Sequence, residues 1–250
     1  MSPQSDDEPF ASQFGEADLE SVFGSASAAG TCAAVLTEAR IVLPDIATPL
    51  DAELWGSDII AALGSRIGAA EAFVPAAEQA GSREALAVLR VIAAVGPPGL
   101  RAAASAAADR LAARGGTEPG WAASVGAPAP GECWRYADAL GVQEVVTMSF
   151  GYGSQAHVVS VLLDVSEGGA IQDVWIGESA DVLERTREMS AQDPKMIFEM
   201  ISQQDARARM DRAMAAGDCP RQPEEIGNVA SRRAILRARI ALLPRQPRPG

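Results

Sequence analysis

The fold of this chain is decided by residues 162–175, which read LLDVSEGGAIQDVW. Two apolar, β-rich runs flank Gly168–Gly169, a pattern typical of two strands joined by a turn. A phosphate-binding glycine loop would need a helix directly after it, so that amides and the helix dipole meet the anion. Residues 170–176 instead read as a strand, and Asp164 and Glu167 would repel phosphate. We therefore interpret the glycines as a strand reversal, where they supply positive φ without a Cβ penalty.

Similar β-rich runs on either side of this stretch predict an antiparallel meander, because turns containing glycine join them. The predicted strands are 133–138, 142–150, 157–164 and 170–176, with a fifth over 196–201. Helices are predicted after Ser179, from the Ser202–Asp205 capping pair to Gly217, and from Pro223 to Pro244. The second half of the chain thus predicts a four- or five-stranded, mainly antiparallel sheet covered by C-terminal helices.

The register of the meander decides the setting of Asp173. With the preceding hairpin turning at Gly153–Ser154, a two-residue turn at Gly168–Gly169 places Asp173 opposite Asp164, on a solvated face. A one-residue slip places it opposite Leu163, on the apolar face. There a buried carboxylate would have a raised pKa, as catalytic carboxylates often do. The structural role is favoured, because unpaired buried acids are rare.

The first half of the chain is rich in alanine and predicts a helical domain over residues 21–125. Helical patterns begin at Thr48 and continue over 69–80, 83–95 and 98–114, with glycine and proline between them. Residues 126–132, GAPAPGE, predict a linker to an α+β domain over 133–250. Residues 1–20 carry six acids and no base, which predicts a disordered acidic tail. The overall class is α+β.

The composition and charge of the chain limit the kinds of partner and source that we expect. The formal net charge of −12 disfavours general nucleic-acid binding, because an acidic surface repels phosphate. The chain holds 49 alanines but a single lysine, Lys195, and a single asparagine, Asn228, which indicates a high-GC, actinobacterial source. The charge is uneven, since residues 205–250 contain ten arginines and five acids.

The cysteines indicate the compartment. Cys32, Cys133 and Cys219 are widely separated and odd in number, so they form neither a disulfide framework nor a CxxC metal site. A reduced, cytoplasmic compartment is the simplest expectation. No signal peptide or membrane span is indicated.

Four residues are candidates for chemistry. His157 is the only histidine, so any general-base or histidine–metal scheme must use it. Asp164, Asp173 and Glu144 could join it in a small metal- or carboxylate-dependent hydrolase. Because their spacing is not diagnostic, structural roles are favoured for all four, and no cofactor or metal is expected.

Two other groups are candidates for binding. Trp134, Tyr152 and Trp175 concentrate aromatic area in the meander, where they form either a core or an exposed interaction face. In the last helix Arg232, Arg237 and Arg239 are predicted to point away from the apolar stripe. They could bind an acidic partner, or associate with RNA or the ribosome.

Residues 140–177 resemble a group of actinobacterial proteins of unknown function that combine an Ala-rich helical half with such a meander. The resemblance lies in Gly141, Gln143, Phe150 with Tyr152, His157, the strand end Val161–Asp164, Gly168–Gly169 and Asp173. The group has an acid after the first glycine and a histidine after the strand-end aspartate, where this chain has Val142 and Val165. The resemblance implies the architecture and no activity.

Together these observations favour a cytosolic, non-catalytic interaction or regulatory protein. A meander that is apolar on both faces needs two covers, and a protein partner or a second copy could supply one. The hydrolase is the first alternative, and RNA association through the arginine-rich last helix is the second.

Overall fold

The computed structural model describes residues 28–64, 69–138, 140–192, 195–217 and 227–245. They form a mixed α+β fold in which helices lie on both sides of a five-stranded antiparallel sheet, which confirms the predicted fold class. The chain divides into two compact units after Ala122. The predicted acidic tail over 1–20 and the predicted start of the last helix at Pro223 lie outside the described residues.

The first unit has five helices within its described residues. They are α1 (Ala28–Val42), α2 (Pro49–Gly64), α3 (Ala69–Ala80), α4 (Arg83–Val95) and α5 (Pro98–Ala113). Helix α4 is capped by Ser82, whose hydroxyl accepts the Ala85 N–H at 3.1 Å. A Cβ at Gly56 of α2 would lie 2.8 Å from the Cβ of Val91, so glycine permits the close approach of α2 to α4.

The second unit is built on the sheet. Its strands are β1 (Ala129–Asp138), β2 (Gln143–Tyr152), β3 (Gln155–Asp164), β4 (Ala170–Glu178) and β5 (Met196–Ile201), in the spatial order β4-β3-β2-β1-β5. All neighbouring strands are antiparallel. The fifth predicted strand is therefore present, at the outer side of β1.

Strand β1 begins inside the segment predicted as a linker, 126–132. Pro130 pairs with Phe150, and the register then shifts before Cys133 pairs with Met148. A shift of this kind tolerates proline, which has no N–H to donate to the ladder. Glycine and proline in this segment thus mark an irregular strand start, which composition alone does not distinguish from a linker.

The hairpin of β2 and β3 has the predicted register. It turns at Gly153–Ser154 and pairs Phe150 with His157 and Val146 with Val161. The tight turn fixes the register, so the alternate residues of both strands share one apolar face.

The β3–β4 connection is a strand reversal, as predicted, but it is longer than a two-residue turn. The loop spans 165–169, with Asp164 paired to Ala170. Gly168 and Gly169 have φ of 72° and 83°. The Gly168 amide donates to the Val165 carbonyl at 3.3 Å, and the Gly169 amide donates to the Asp164 carbonyl, at the end of β3, at 2.8 Å. Strand β4 follows them directly. These amides stabilise the turn and do not converge on an anion.

The residue that pairs with Asp173 differs from both predicted alternatives, although its face is the one predicted for the two-residue turn. The register shifts between Leu162 and Leu163, so Asp173 lies opposite Leu162 instead of Asp164 or Leu163. It shares the face of Ser160 and is half-buried. The irregularity that causes this shift leaves no signal in the alternation of apolar and polar residues.

Two helices cover one face of the sheet, which we call the core face. Helices α7 (Gln203–Ala216) and α8 (Gly227–Leu242) pack there on Val146, Met148 and Val161. Burial of such side chains contributes about 1.5–3 kcal/mol each. This packing forms the hydrophobic core of the second unit.

Helix α6 (Ser179–Gln192) packs on the opposite face, which we call the α6 face. A Cβ at Gly177 would lie 3.1 Å from Val182 of α6. On the same face of the sheet, the hydroxyls of Thr147 and Ser160 hydrogen-bond to each other at 2.9 Å, and both residues are buried. The helices of the described chain are all too short or too polar to cross a bilayer.

Candidate functional site

The structure does not bring the four candidate catalytic residues together. Glu144 and His157 both lie on the core face, but His157 pairs with Phe150, six residues along β2 from Glu144. Six residues of strand span roughly 20 Å. Asp164 and Asp173 lie on the α6 face. Among the described residues no three His, Cys, Asp or Glu side chains are placed to hold a metal ion. The arrangement therefore does not support a hydrolytic site made from these four residues.

Asp164 and Asp173 stabilise the β3–β4 connection. Hydrogen bonds from the Ser166 hydroxyl, the Glu167 N–H and the Gln172 side-chain amide hold the pKa of Asp164 below its usual range. An Asp173 carboxylate oxygen accepts the N–H of the next residue at 2.7 Å. Both acids are thus engaged in local turn and strand contacts.

His157 lies in a buried cluster with an arginine, which we call the Arg239 cluster (Phe150, Tyr152, His157 and Arg239). The imidazole stacks on Phe150 and Tyr152, at centroid distances of 5.9 and 5.7 Å. Arg239 of α8 donates its Nε–H to His157 Nε2 at 3.2 Å and an Nη2–H to the Tyr152 hydroxyl at 2.9 Å. Its guanidinium carbon is 5.4 Å from the Phe150 centroid, within cation–π range. The cluster fastens α8 to the β2–β3 hairpin.

This environment keeps His157 neutral. Burial, and secondarily the charge of Arg239, lower the pKa of His157 to about 3. Because Nε2 already accepts a hydrogen bond from Arg239, that nitrogen is not available to take a proton from a substrate. The cluster is built to hold α8 in place, and the role of general base does not fit its geometry.

The prediction that Arg239 points away from the apolar stripe is wrong, because the residue is fully buried. The helical pattern of α8 does not show that β2 and β3 offer an aromatic face and two polar atoms for a guanidinium. Of the other two arginines, Arg232 is half-buried and Arg237 is exposed. The expected RNA-binding surface on α8 therefore lacks one of its three members.

The aromatic candidates are mostly engaged in packing. Trp134 is buried, and Trp175 and Tyr152 are half-buried. Tyr152 belongs to the Arg239 cluster through both its ring and its hydroxyl. These side chains do not form an exposed aromatic face.

Glu144 is the centre of an ionic network that the sequence does not reveal. It is 7% exposed and accepts the Arg135 Nε–H at 2.8 Å and an Arg209 Nη1–H at 2.9 Å from each oxygen. Arg135 also donates to Glu199 at 3.1 Å. The network joins β1, β2, β5 and α7 by charge-assisted hydrogen bonds, which are stronger than neutral ones.

A cavity of about 320 Å³ lies beside this network, where the β1–β2 and β3–β4 turns meet the end of α7. We call it the arginine cavity. Its lining includes Arg135, Arg209, Arg212, Glu144, Leu163 and Ala213, with the turn residues Gly141, Gly168 and Gly169.

Exposed apolar side chains beside the cavity come from the same turns. Leu140, Val142 and Val165 are all exposed, and the Val165 N–H donates to the Val142 carbonyl at 2.9 Å. Val142 and Val165, the two positions at which this chain differs from the resembling group, are therefore neighbours in space.

Strand β5 forms a second exposed apolar surface. It is one edge of the sheet, pairs with β1, and has the sequence MIFEMI. Met200 is 67% exposed on the α6 face, and Ile197 is 42% exposed on the core face. Phe198 is half-buried. The sequence analysis did not predict this surface, although five apolar residues among six, pointing to both faces of the strand, were a usable signal.

Comparison with known proteins identifies no matching family model, no matching curated protein and no matching solved structure.

Proposed function

We propose that this chain is a non-catalytic protein-interaction protein with a regulatory role, and that its contact surface is the outer edge of β5, which pairs with no other strand of the described residues. The observation that carries the proposal is an edge strand with exposed Met200 and Ile197 on its two faces. Edge strands offer unpaired N–H and C=O groups to other strands, and soluble proteins usually protect them. An unprotected apolar edge supports a role in strand addition.

The two edges of the sheet differ in protection. At β4 the register is interrupted beside Leu162, and the Ile171 N–H donates outward to the Gly217 carbonyl at 3.1 Å. Strand β5 contains no proline, and its register with β1 is unbroken from Met196 to Ile201. Its single charge, Glu199, is paired with Arg135 of the neighbouring strand. Because Arg135 neutralises this charge, Glu199 protects β5 against pairing with another strand less than an unpaired glutamate would.

We assign the occupant of this edge as a second copy of the chain. An antiparallel pairing of two β5 strands centred on Phe198 places the two phenylalanines opposite each other and each Met196 opposite Met200. It places Glu199 opposite Ile197, so the two carboxylates do not face each other. A continuous two-fold sheet of this kind is an isologous interface.

The dimer is expected to be weak and salt-dependent. A stable specific interface buries roughly 1,200 Å² or more. A six-residue edge buries less than this, and areas below that value are typical of transient contacts. Each copy carries a formal charge of −12, so the copies repel at low salt. Association is therefore expected to strengthen as salt rises, unlike an interface held by ion pairs.

The cytosol is the compartment that we propose. Of the described cysteines, Cys32 and Cys133 are buried and free, and burial raises the pKa of both thiols. Buried, protonated thiols resist oxidation, which suits a reducing compartment. The alanine-rich composition supports an actinobacterial source.

The test is a sedimentation-equilibrium series of the full chain at several concentrations and salt levels. The wild type is expected to pass from monomer to dimer as concentration rises, and Met200→Lys is expected to stay monomeric. Ile41→Lys is the matched control, because Ile41 is 66% exposed on α1, outside the second unit. A wild type that remains monomeric, or an equal effect of both substitutions, would contradict the assignment.

A further inference from the structure

We propose that the arginine cavity is a binding site for the phosphate group of a small phosphorylated molecule with an apolar body. The charges lining the cavity are those of Arg135, Arg209, Arg212 and Glu144, which leave a formal charge of +2. The chain as a whole has a charge of −12, so this concentration of positive charge runs against its composition. A phosphate monoester carries about −1.5 to −2 near pH 7, which is opposite in sign to the charge of the side chains that line the cavity.

Glu144 does not use all the donors around it. A guanidinium has five N–H donors. The bonds to Glu144 come from Arg135 Nε and Arg209 Nη1, and Arg135 Nη1 donates to Glu199. Arg212 is exposed, and no carboxylate of the described residues lies within ion-pair distance of it. Phosphate oxygens suit such planar, forked donors, because they can accept two parallel bonds from one guanidinium.

The cavity also has room and apolar surface for the rest of the molecule. Its volume of about 320 Å³ is at the small end of the range for ligand sites. Leu163, Val165 and Ala213 line it, and Leu140 and Val142 are exposed on the adjoining turns. A short apolar substituent on the phosphate would cover part of this surface, which removes apolar area from water.

Neither acid beside the glycine pair, Asp164 or Glu167, lines the arginine cavity. Asp164 lies on the α6 face and accepts bonds from Ser166 and Gln172. The amides of Gly168 and Gly169 are used within the loop. The anion would thus be held by side chains from β1 and α7 and not by a backbone loop, so the absence of a glycine-loop motif does not count against the site.

Phosphate binding does not depend on pairing of the β5 edge with a second copy, and it is tested by thermal unfolding of the full chain with inorganic phosphate and with phenyl phosphate. Sodium chloride keeps the ionic strength constant. Both anions are expected to raise the melting temperature, phenyl phosphate at the lower concentration. The dissociation constant of each is expected to rise about tenfold in Arg212→Gln, the equivalent of about 1.4 kcal/mol.

Arg185→Gln is the matched control, since Arg185 is an exposed arginine of α6 on the other side of the sheet. It removes the same charge and is expected to leave both dissociation constants unchanged. The proposal is overturned if neither anion raises the melting temperature, if Arg185→Gln weakens binding as much as Arg212→Gln, or if succinate stabilises the wild type as strongly as phosphate does.

Discussion

Acidification from pH 7.5 to pH 5 should destabilise the second unit chiefly through one residue, His157. The chain has one histidine, so no other side chain has an ordinary pKa between 5 and 8. Burial and Arg239 lower the pKa of His157 to about 3 in the folded state, whereas an unfolded histidine titrates near ~6.5. Between these values the unfolded chain binds one more proton than the folded chain. The stability that neutral His157 contributes is therefore complete above pH ~6.5 and is lost as pH falls towards 3.

The size of the effect follows from the two pKa values. Where His157 is fully protonated in the unfolded chain but neutral in the folded chain, the free energy of unfolding falls by ~1.4 kcal/mol for each unit by which the pH falls. Over the interval from pH 7.5 to pH 5 this amounts to about 2 kcal/mol of unfolding free energy. His157 is 3% exposed, so solvent screening does not reduce the effect appreciably.

The matched variant is His157→Gln, whose amide oxygen can still accept the Nε–H of Arg239 but does not titrate. Urea unfolding of the two proteins at pH 5, 6 and 7.5 measures how the free energy of unfolding depends on pH. Both proteins contain the same acids, so the difference between them is the contribution of the histidine. The wild type is expected to lose about 2 kcal/mol more than the variant by pH 5. The imidazole resonances of folded His157 should also stay constant down to pH 5. Equal pH dependence in both proteins, or a folded-state midpoint near 6.5, would refute the reasoning.

Three further predictions concern packing and charge. Gly56→Ala should lower the unfolding free energy of the first unit by about 1–3 kcal/mol, because its Cβ would meet Val91; an unchanged melting temperature would contradict this. Thr147→Val should cost about 1–2 kcal/mol by leaving the Ser160 hydroxyl buried without its partner. Adding Ser160→Ala should recover most of that loss in urea titrations, and no recovery would disprove the coupling. Glu144→Gln should cost about 3–5 kcal/mol, because the guanidiniums of Arg135 and Arg209 lose their counter-charge. High salt should reduce this loss, and a loss that does not depend on salt would argue against the ionic cause.

The strands and most helices could be predicted from the sequence because their signals are local. Alternating apolar residues and the Gly153–Ser154 turn fix the pairing of Phe150 with His157. Proline and glycine between helices mark the bounds of α4 and α5. Strand β5 was also predictable at Met196–Ile201, although its place beside β1 was not.

What the sequence does not reveal depends on contacts between distant residues. The register shift beside Leu162 sets the partner of Asp173, and nothing in the alternation pattern marks it. Helical periodicity predicts that Arg239 is a surface residue. In the structure it is buried against the aromatic side chains of β2 and β3, where it donates to His157, 82 residues earlier in the chain. The arginine cavity likewise joins residues of β1 and α7 that are far apart in sequence.

In the proposed dimer the β5 edge pairs with β5 of a second copy of the chain. Amide hydrogen exchange measured at low and high protein concentration tests it most directly, because alternate β5 N–H groups point away from β1. We expect the protection of these amides between Met196 and Ile201 to increase with concentration, while that of the β4 amides stays unchanged. Protection of β5 that does not change with concentration would contradict it.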